Sequence, residues 1–265
     1  MPDYNDDLRL AHVLADAADA ATMARFKALD LKVETKPDLT PVSEADKAAE
    51  ELIRGQLGRA RPRDAVLGEE YGSQGGGPRR WVVDPIDGTK NYVRGVPVWA
   101  TLIALVVRGE GGDEVVVGVV SAPALGRRWW AAKGGGAYTG RSLSSATRLR
   151  VSRVSRIEDA SLAYSSLSGW EAQSRLDGFL DLTRACWRTR GYGDFWPYMM
   201  VAEGSVDICA EPELNVWDMA ANEVIVREAG GRFTSLDGVP GPFGENAAAS
   251  NGLLHEEMLG YLGRA

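Results

Sequence analysis

The sequence predicts an α+β fold in which helices bracket a run of consecutive β-strands. Apolar runs typical of strands occur at residues 81–83, 100–107 and 115–121, and the turn-forming stretch 109–113 separates the last two as in a hairpin. Helical patterns lie on both sides of this run rather than between its strands. The regular strand–helix alternation of a doubly wound sheet is therefore not expected.

Two helices are predicted ahead of the strands. At residues 8–26, apolar or small side chains recur at the three-then-four spacing of an amphipathic helix. Ser43, with Asp46 three residues later, is a capping pattern that begins a helix ending near Leu57. A flexible glycine-rich loop is expected at 72–78. Further strands are predicted at 31–35, 65–67, 129–132, 148–151, 162–164, 206–210 and 232–234. Further helices are predicted at 171–184, 194–203, 218–228 and 253–262.

Composition and charge exclude several classes of protein. The 265 residues are 45% hydrophobic and 25% charged, as expected for one large domain or two packed lobes, about 1–150 and 151–265. The net charge of −7 and the mixing of acidic and basic residues give no footprint for nucleic acid or an anionic membrane. Two distant cysteines indicate neither a disulfide framework nor a zinc site. An acidic N-terminus and the lack of a long apolar stretch favour a cytoplasmic protein.

Two carboxylates, Asp84 and Asp87, follow directly after an apolar strand. Pro85 fixes its own φ near about −65° and favours an extended Asp84, so the chain turns sharply and both carboxylates can converge. A hard cation such as Mg²⁺ prefers oxygen ligands, and Ile86 could add its backbone carbonyl. Gly88 allows a ligand to approach the backbone, and a helix beginning there would offer free N–H groups to a phosphate. The segment therefore predicts a metal and phosphate site.

Each acidic signal also has an ordinary structural explanation. Asp-Pro and Asp-Gly are common turn pairs. Glu69 and Glu70 follow another strand, where acids are either loop residues or part of a shared cleft. Asp218, at a predicted helix start, and Asp46 are both explained by helix capping. No one of these acids is diagnostic alone.

Together, the acids resemble the pattern of the inositol-monophosphatase-like family of metal-dependent phosphatases. The matching strings are Gly68-Glu69-Glu70, residues 84–89 (DPIDGT), Trp217-Asp218 and residues 228–231 (EAGG). The resemblance extends from the Asp46 region to Asn251. It implies a layered αβαβα sandwich, a single phosphatase domain over residues 1–265, two or three Mg²⁺ ions per site and a homodimer.

The resemblance also implies roles for individual residues. The implied metal ligands are the side chains of Glu69, Asp84, Asp87 and Asp218 and the carbonyl of Ile86. The implied catalytic residues are Asp46, Thr89, Glu69 and Asp87, and the implied phosphate-binding amides are those of Gly88 and Thr89. In the resulting hypothesis, metal-activated water attacks phosphorus in line with the leaving alcohol, and Asp46, through Thr89, accepts the proton.

Within this family, the sequence is more similar to the histidinol-phosphate phosphatases of bacterial histidine synthesis. The strings behind this similarity lie at 35–42, 94–100, 121–125, 128–132, 191–195 and 250–255. Histidinol phosphate carries an ammonium and an imidazole, so an acidic lining is expected, and Asp194 and Glu211 occupy positions that lie beside the leaving group in the family. Asn251 is expected to add a polar contact within its own or a neighbouring subunit. From the residues alone, Glu211 is equally well a surface acid and Asn251 a helix cap.

Two other functions compete with this interpretation. An inositol-1-phosphate or general sugar-phosphate phosphatase would use the same acids. A non-catalytic metal- or phosphate-binding protein with the same fold would require a damaged site, and none of the matched residues is missing. His12 and His255 are expected in polar terminal segments without a catalytic role, and the tryptophans Trp99, Trp129 and Trp130 are expected to pack rather than bind ligand.

Overall fold

This computed structural model describes residues 3–37 and 40–263, so residues 38 and 39 of the string 35–42 lie outside the described chain. The described helices are α1 (Asn5–Arg25), α2 (Glu44–Ala60), α3 (Thr89–Val93), α4 (Ser168–Ala172), α5 (Leu176–Ala185), α6 (Trp196–Glu203), α7 (Val216–Glu228) and α8 (His255–Leu262). The described strands are β1 (Val33–Thr35), β2 (Pro41–Ser43), β3 (Ala65–Gly68), β4 (Gly72–Gln74), β5 (Arg79–Asp87), β6 (Ala100–Gly109), β7 (Gly112–Ala122), β8 (Arg127–Ala132), β9 (Gly136–Gly140), β10 (Ala146–Arg148), β11 (Ser161–Tyr164), β12 (Arg188–Gly191), β13 (Ile208–Glu211), β14 (Arg232–Thr234) and β15 (Ala247–Ser250).

Two mixed sheets contain most of the strands. The larger sheet has the order β10-β9-β8-β7-β6-β5-β3-β4 and is antiparallel except between β3 and β5. The smaller sheet has the order β12-β11-β13-β15-β14, in which β11 runs parallel to both of its neighbours. A separate pair, β1 and β2, forms an antiparallel ribbon ahead of α2.

Helices cover and separate the two sheets. One face of the larger sheet packs on α1 and α2. Its other face shares an apolar core with α6, α7 and the smaller sheet. The outer face of the smaller sheet packs on α4, α5 and α8. The layers therefore follow the order αβαβα, and the α+β sandwich predicted from the sequence is confirmed.

Alternation along the strands explains why the central strands are apolar throughout. Successive side chains of a strand point to opposite faces of the sheet. In β5, Trp81 and Val83 therefore pack toward α1 and α2, whereas Val82 packs toward α7. In β6, Ile103 likewise packs toward α1 and α2, and Leu102 packs toward α7. Because both faces are covered, these strands read as continuous apolar runs.

Some predicted elements were wrong in extent. Residues 72–78 are not entirely loop, since 72–74 form β4 at the sheet edge. The predicted strand at 148–151 ends at Arg148, and the predicted helix at 171–184 is broken where Ser174 adopts a left-handed φ of 55°. The sequence also did not predict the short strands β2, β9, β12 and β15.

The histidines lie in buried surroundings, contrary to the expectation of polar segments. His12 is buried on α1, edge-on to Trp130 at 4.8 Å between ring centroids. His255 is fully buried and is hydrogen-bonded to Thr234 and Ser250, each at 2.9 Å. Both residues are therefore placed within the packing, and neither lines the acidic cavity described below. Among the described residues, no helix has the length and apolar character needed to cross a membrane.

Candidate active site

The end of β5 bends where the two aspartates occur. Its pairing with β6 is regular as far as Asp84 and then shifts register before Asp87. The Asp84 carboxylate accepts the Ile86 backbone N–H at 3.0 Å, which holds the bend. Gly88 follows with a left-handed φ of 84° and begins α3. The local sequence therefore turns the chain so that both carboxylates lie at the strand end.

Asp218 reaches the same point from the other half of the chain. It lies in the first turn of α7, where its Oδ2 accepts the Asn215 backbone N–H at 2.7 Å. One carboxylate oxygen each from Asp84, Asp87 and Asp218 lies within 4.8 Å of the others. Asp218 therefore caps the start of α7 and also converges with Asp84 and Asp87.

These acids line a cavity of about 260 Å³. The predicted site residues around it are Glu69, Asp84, Ile86, Asp87, Gly88, Thr89, Asp194, Glu211 and Asp218. Asp46 lies behind the wall and reaches the cavity through Thr89, whose hydroxyl lies 3.1 Å from Asp46 Oδ1. The structure thus brings together all predicted site residues except Asn251.

Burial and mutual repulsion raise the pKa values of these acids. Burial, followed by the charges of neighbouring acids, raises the pKa of Asp84 and of Asp87 well above the usual range. Burial raises the pKa of Asp218 to about 7 despite the Asn215 N–H, which acts in the opposite direction. Charged carboxylates held this close without a cation are unfavourable, because each disfavours ionisation of the others.

The donor set fits a divalent cation. Across residues 3–37 and 40–263, Asp84, Asp87 and Asp218 form no ion pair with a basic side chain, although buried charges are normally paired or bound to metal. Glu69 is different, because Lys36 Nζ lies 2.7 Å from its Oε1 and 2.6 Å from Glu70 Oε1. All four acids offer oxygen atoms, the ligand type that Mg²⁺ prefers.

Asp46 is held in place by its own helix cap. Its Oδ2 accepts both the Ser43 backbone N–H at 2.8 Å and the Ser43 hydroxyl, which forms the capping box predicted for α2. The other oxygen, Oδ1, faces the Thr89 hydroxyl. The same hydroxyl also lies 2.9 Å from the Ile86 carbonyl oxygen, so its single proton has two acceptors. Burial raises the pKa of Asp46, whereas the hydrogen bonds from Ser43 act to lower it.

Asp194 and Glu211 form the acidic wall of the cavity on the side of the smaller sheet. Asp194 has a left-handed φ of 54°, and its Oδ2 accepts the Asn91 side-chain N–H at 2.8 Å. Glu211 is buried and accepts the Tyr198 hydroxyl at 2.9 Å. Burial raises the pKa of Asp194 to about 6 and that of Glu211 to about 8. Glu211 is therefore a buried cavity residue, not a surface loop acid.

Asn251 does not line the cavity. Its side-chain N–H groups donate to the Ser152 hydroxyl at 2.9 Å and the Val154 carbonyl at 2.7 Å. Its Oδ1 accepts the backbone N–H groups of Leu253 and Leu254 ahead of α8. The residue is buried, and hydrogen bonds within the chain occupy both polar atoms of its side chain. These bonds form a turn ahead of α8 and do not cap that helix, whose N-cap residue is Leu254.

Sequence reasoning missed three residues that hold the site acids. Lys36 lies within the string 35–42, but nothing in its spacing linked it to Glu69. The one local signal for Asn91 was its position, as a polar residue shortly after the Gly88 turn. Tyr198 meets Glu211 only through the packing of α6 on β13, so no local pattern could have identified it.

Comparisons with known proteins agree with this fold. The sequence profile of the inositol monophosphatase family matches residues 5–263. The chain therefore belongs to the inositol monophosphatase family, a family of phosphatases, as the sequence resemblance predicted. The chain is 80% identical over 262 residues to a histidinol-phosphatase of Streptomyces coelicolor, covering 99% of this chain and 98% of that protein. It is 59% identical over 256 residues to a histidinol-phosphatase of Mycobacterium tuberculosis, covering 96% and 97% of the two chains.

Solved structures give the same result for the fold. The inositol monophosphatase of Thermotoga maritima has a TM-score of 0.85 and 30% identity, with 97% of each chain covered. The extragenic suppressor protein SuhB of Bartonella henselae has a TM-score of 0.88 and 29% identity, with 98% of this chain and 100% of that chain covered.

Proposed function

We propose that this chain is a Mg²⁺-dependent histidinol-phosphatase that hydrolyses the phosphate monoester of a cationic amino alcohol. The observation that carries this proposal is one cavity with two acidic parts. Asp84, Asp87 and Asp218 converge on one point, and Asp194 and Glu211 line the same cavity. The high identity to two histidinol-phosphatases supports the same substrate.

The first acidic part suits divalent metal. Glu69, Asp84, Asp87 and Asp218, with the Ile86 carbonyl, would hold two or three Mg²⁺ ions beside the Gly88 and Thr89 amides that would bind phosphate. When bound, a divalent cation offsets phosphate charge and lowers the pKa of a coordinated water. The raised pKa values of Asp84 and Asp87 support this role, because a cation relieves the repulsion between them.

Thr89 and Asp46 provide a route for a proton. A hydroxyl has one proton, so Thr89 donates either to Asp46 or to the Ile86 carbonyl at any moment. When it donates to Asp46, its lone pairs are free to accept a hydrogen bond from a water in the cavity. As the water attacks phosphorus, the Thr89 oxygen takes the proton that the water loses, and the original Thr89 proton passes to Asp46.

The second acidic part suits the leaving group. Asp194 and Glu211 form no ion pair in the described part of the chain, although the charge of Lys90 acts against the raised pKa of Asp194. A substrate ammonium or imidazolium would supply the missing positive charge. A neutral polyol such as inositol would leave Asp194 and Glu211 without that compensation. This difference favours histidinol phosphate over sugar phosphates.

We further expect a cytoplasmic homodimer that binds neither nucleic acid nor membrane. The net charge of −7 supports the last two expectations. The single domain over residues 1–265 likewise stays a prediction. Sedimentation would measure the oligomeric state.

A substrate comparison tests the proposal. Purified protein is assayed for phosphate release from histidinol phosphate and inositol 1-phosphate at equal concentration, with and without Mg²⁺. We expect Mg²⁺-dependent release that favours histidinol phosphate. Asp194→Asn, which keeps the side-chain size, is expected to lower kcat/KM for histidinol phosphate by about tenfold to a hundredfold and to affect inositol 1-phosphate little.

The other outcomes would contradict different parts of the proposal. Preference for inositol 1-phosphate would replace the substrate assignment and keep the phosphatase. Mg²⁺ binding without hydrolysis of any monoester in a wider panel would favour the non-catalytic alternative.

A further inference from the structure

The turn that carries Glu69 rests on a buried carboxylate from α2. Glu50 is fully buried, and its Oε2 accepts the Glu70 backbone N–H at 2.7 Å. Its Oε1 accepts the Tyr71 backbone N–H at 3.2 Å and Arg54 Nε at 2.7 Å. The two amides directly after Glu69 are therefore held by one side chain.

We propose that Glu50 is a positioning residue that fixes the Glu69–Glu70 turn for metal binding. This inference rests on the proposed function, because it takes Glu69 to be a metal ligand. The turn is held from its other side by the Glu69 backbone N–H, which donates to the Val83 carbonyl of β5 at 3.2 Å. Glu50 completes the attachment on the side of α2. Metal ligands are commonly oriented by such outer hydrogen bonds.

Gly68 is shaped to receive this carboxylate. A Cβ atom added at Gly68 would lie 2.0 Å from Glu50 Oε1 and 2.3 Å from its Cδ. Gly68 does not have a positive φ, so backbone conformation does not require glycine there. Glycine is needed at this position because a side chain would occupy the space in which the Glu50 carboxylate lies against the backbone of the turn.

Arg54 fixes Glu50 and the far end of the turn. The two residues form an i, i+4 ion pair on α2, and Arg54 also donates to the Gly72 carbonyl and to Gln74 Oε1. Its guanidinium lies 5.9 Å from the centre of the Tyr71 ring. The segment from Glu70 to Gln74 is thus attached to one face of α2.

The same helix face holds the proton acceptor. Asp46 lies four residues before Glu50, so both side chains project from one side of α2. Asp46 contacts Thr89, and Glu50 contacts the turn that follows β3. The first two turns of α2 therefore set the distance between the Thr89 side and the Glu69 side of the cavity.

The test is Mg²⁺ binding measured by calorimetry, which does not depend on substrate. Glu50→Gln keeps the shape but replaces one acceptor oxygen with a donor that faces N–H groups. We expect its Mg²⁺ dissociation constant to rise about tenfold or more. Gly68→Ala keeps every charge and pushes the Glu50 side chain off the turn, so we expect a similar loss. Because Gly68→Ala leaves the Glu50 charge in place, a loss of the same size in both variants would mean that Glu50 acts through its position and not through its charge.

Two controls match the changed residue. Glu51→Gln removes an exposed charge from the neighbouring position of α2. Glu223→Gln alters another buried helical glutamate, which pairs with Arg227 at i, i+4 as Glu50 does with Arg54. Neither control is expected to change the Mg²⁺ dissociation constant by more than about twofold, since neither side chain holds the Glu70 and Tyr71 amides, which both donate to Glu50.

A measurement on the wild type covers the case in which variants fail to fold. Hydrogen exchange should show protected Glu70 and Tyr71 amides both with and without Mg²⁺. Exchange at the rate of an open loop would overturn the role of Glu50. So would an unchanged Mg²⁺ affinity in both Glu50→Gln and Gly68→Ala. Absence of Mg²⁺ binding in the wild type would instead overturn the proposed metal site, and with it this inference.

Discussion

The backbone N–H of Phe195 donates to Asp87 Oδ2 over 2.6 Å, which joins the end of β5 to the segment ahead of α6. Asp87 belongs to the larger sheet, and Phe195 follows Asp194 directly in sequence. One hydrogen bond therefore connects the proposed metal site to the proposed substrate-binding wall. Within the described residues, Asp87 accepts a hydrogen bond through Oδ2, which leaves Oδ1 for a cation.

Asp87→Asn should separate stability from metal binding. The amide oxygen can still accept the Phe195 N–H, so we expect the fold to persist. Mg²⁺ affinity and turnover should fall together, by about a hundredfold, because a charged ligand is lost. Without metal, the variant should melt at a higher temperature than the wild type, since burial and neighbouring acids make the Asp87 charge unfavourable. Calorimetric melting with and without Mg²⁺ measures both effects.

The control for this substitution is Glu110→Gln, which removes an exposed charge from the turn between β6 and β7. Near wild-type turnover of Asp87→Asn at low Mg²⁺ would show that Asp87 is not a ligand.

Stabilisation by Mg²⁺ should increase with pH. In the metal-free protein the pKa of Asp218 is raised from 3.8 to about 7 and that of Glu211 from 4.5 to about 8. A raised folded-state pKa contributes stability that is present below the unfolded value and lost as pH rises through the folded value. The metal-free protein should therefore lose stability between about pH 4 and pH 8. Mg²⁺ requires the ionised carboxylates, so it should offset this loss.

The measurement is the melting temperature across this pH window with Mg²⁺ and with a chelator. We expect the difference between the two curves to widen as pH rises. A difference that narrows toward pH 8 would contradict the assignment of Asp218 to the cation site.

Local signals predicted the part of the site around Asp84, and the family resemblance supplied the remaining acids. Asp84, Asp87 and Gly88 lie within one turn whose geometry follows from Pro85 and the glycine. The fold class followed from apolar runs long enough to identify buried strands. Strand β15 was not predicted because its residues, three alanines and a serine, carry no β-branched or aromatic side chain.

Residues that act through packing could not be predicted in this way. Glu50 reads as an ordinary polar residue of an amphipathic helix, yet it is fully buried because the turn after β3 packs on it. Asn251 is a related case. It was expected to contact the substrate, but hydrogen bonds within the chain occupy its side chain. Glu70 and Tyr71 lie far from Glu50 in sequence, and Ser152 and Val154 lie far from Asn251, so sequence spacing does not reveal these contacts.

Substitution of Thr89 should affect turnover more than metal affinity. Thr89→Val keeps the shape but removes the hydroxyl between the cavity and Asp46. We expect kcat to fall by about a hundredfold or more, with the Mg²⁺ dissociation constant within about threefold of wild type. Thr89→Ser restores a hydroxyl and should recover most of the rate. Equal loss in both variants would indicate a packing role for the Thr89 methyl group instead.

Asn91→Ala should weaken recognition of a cationic substrate. The Asn91 amide donates to Asp194 Oδ2 at 2.8 Å and to the Val98 carbonyl at 2.9 Å, so it fixes the carboxylate to the wall. Without this donor, Asp194 should adopt several side-chain positions, and binding must order it. We expect KM for histidinol phosphate to rise about tenfold while kcat changes little, because the metal ligands are untouched.

Inositol 1-phosphate provides the internal control for Asn91→Ala, since a neutral leaving group gains nothing from an ordered Asp194. Asn91→Asp should be worse than Asn91→Ala with histidinol phosphate, because it replaces the donor by a second carboxylate 2.8 Å from Asp194 Oδ2. Steady-state kinetics on both substrates measures these effects. A rise in KM of the same size for both substrates would mean that Asn91 supports the phosphate-binding turn, and the assignment of Asp194 to the cationic leaving group would lose its support.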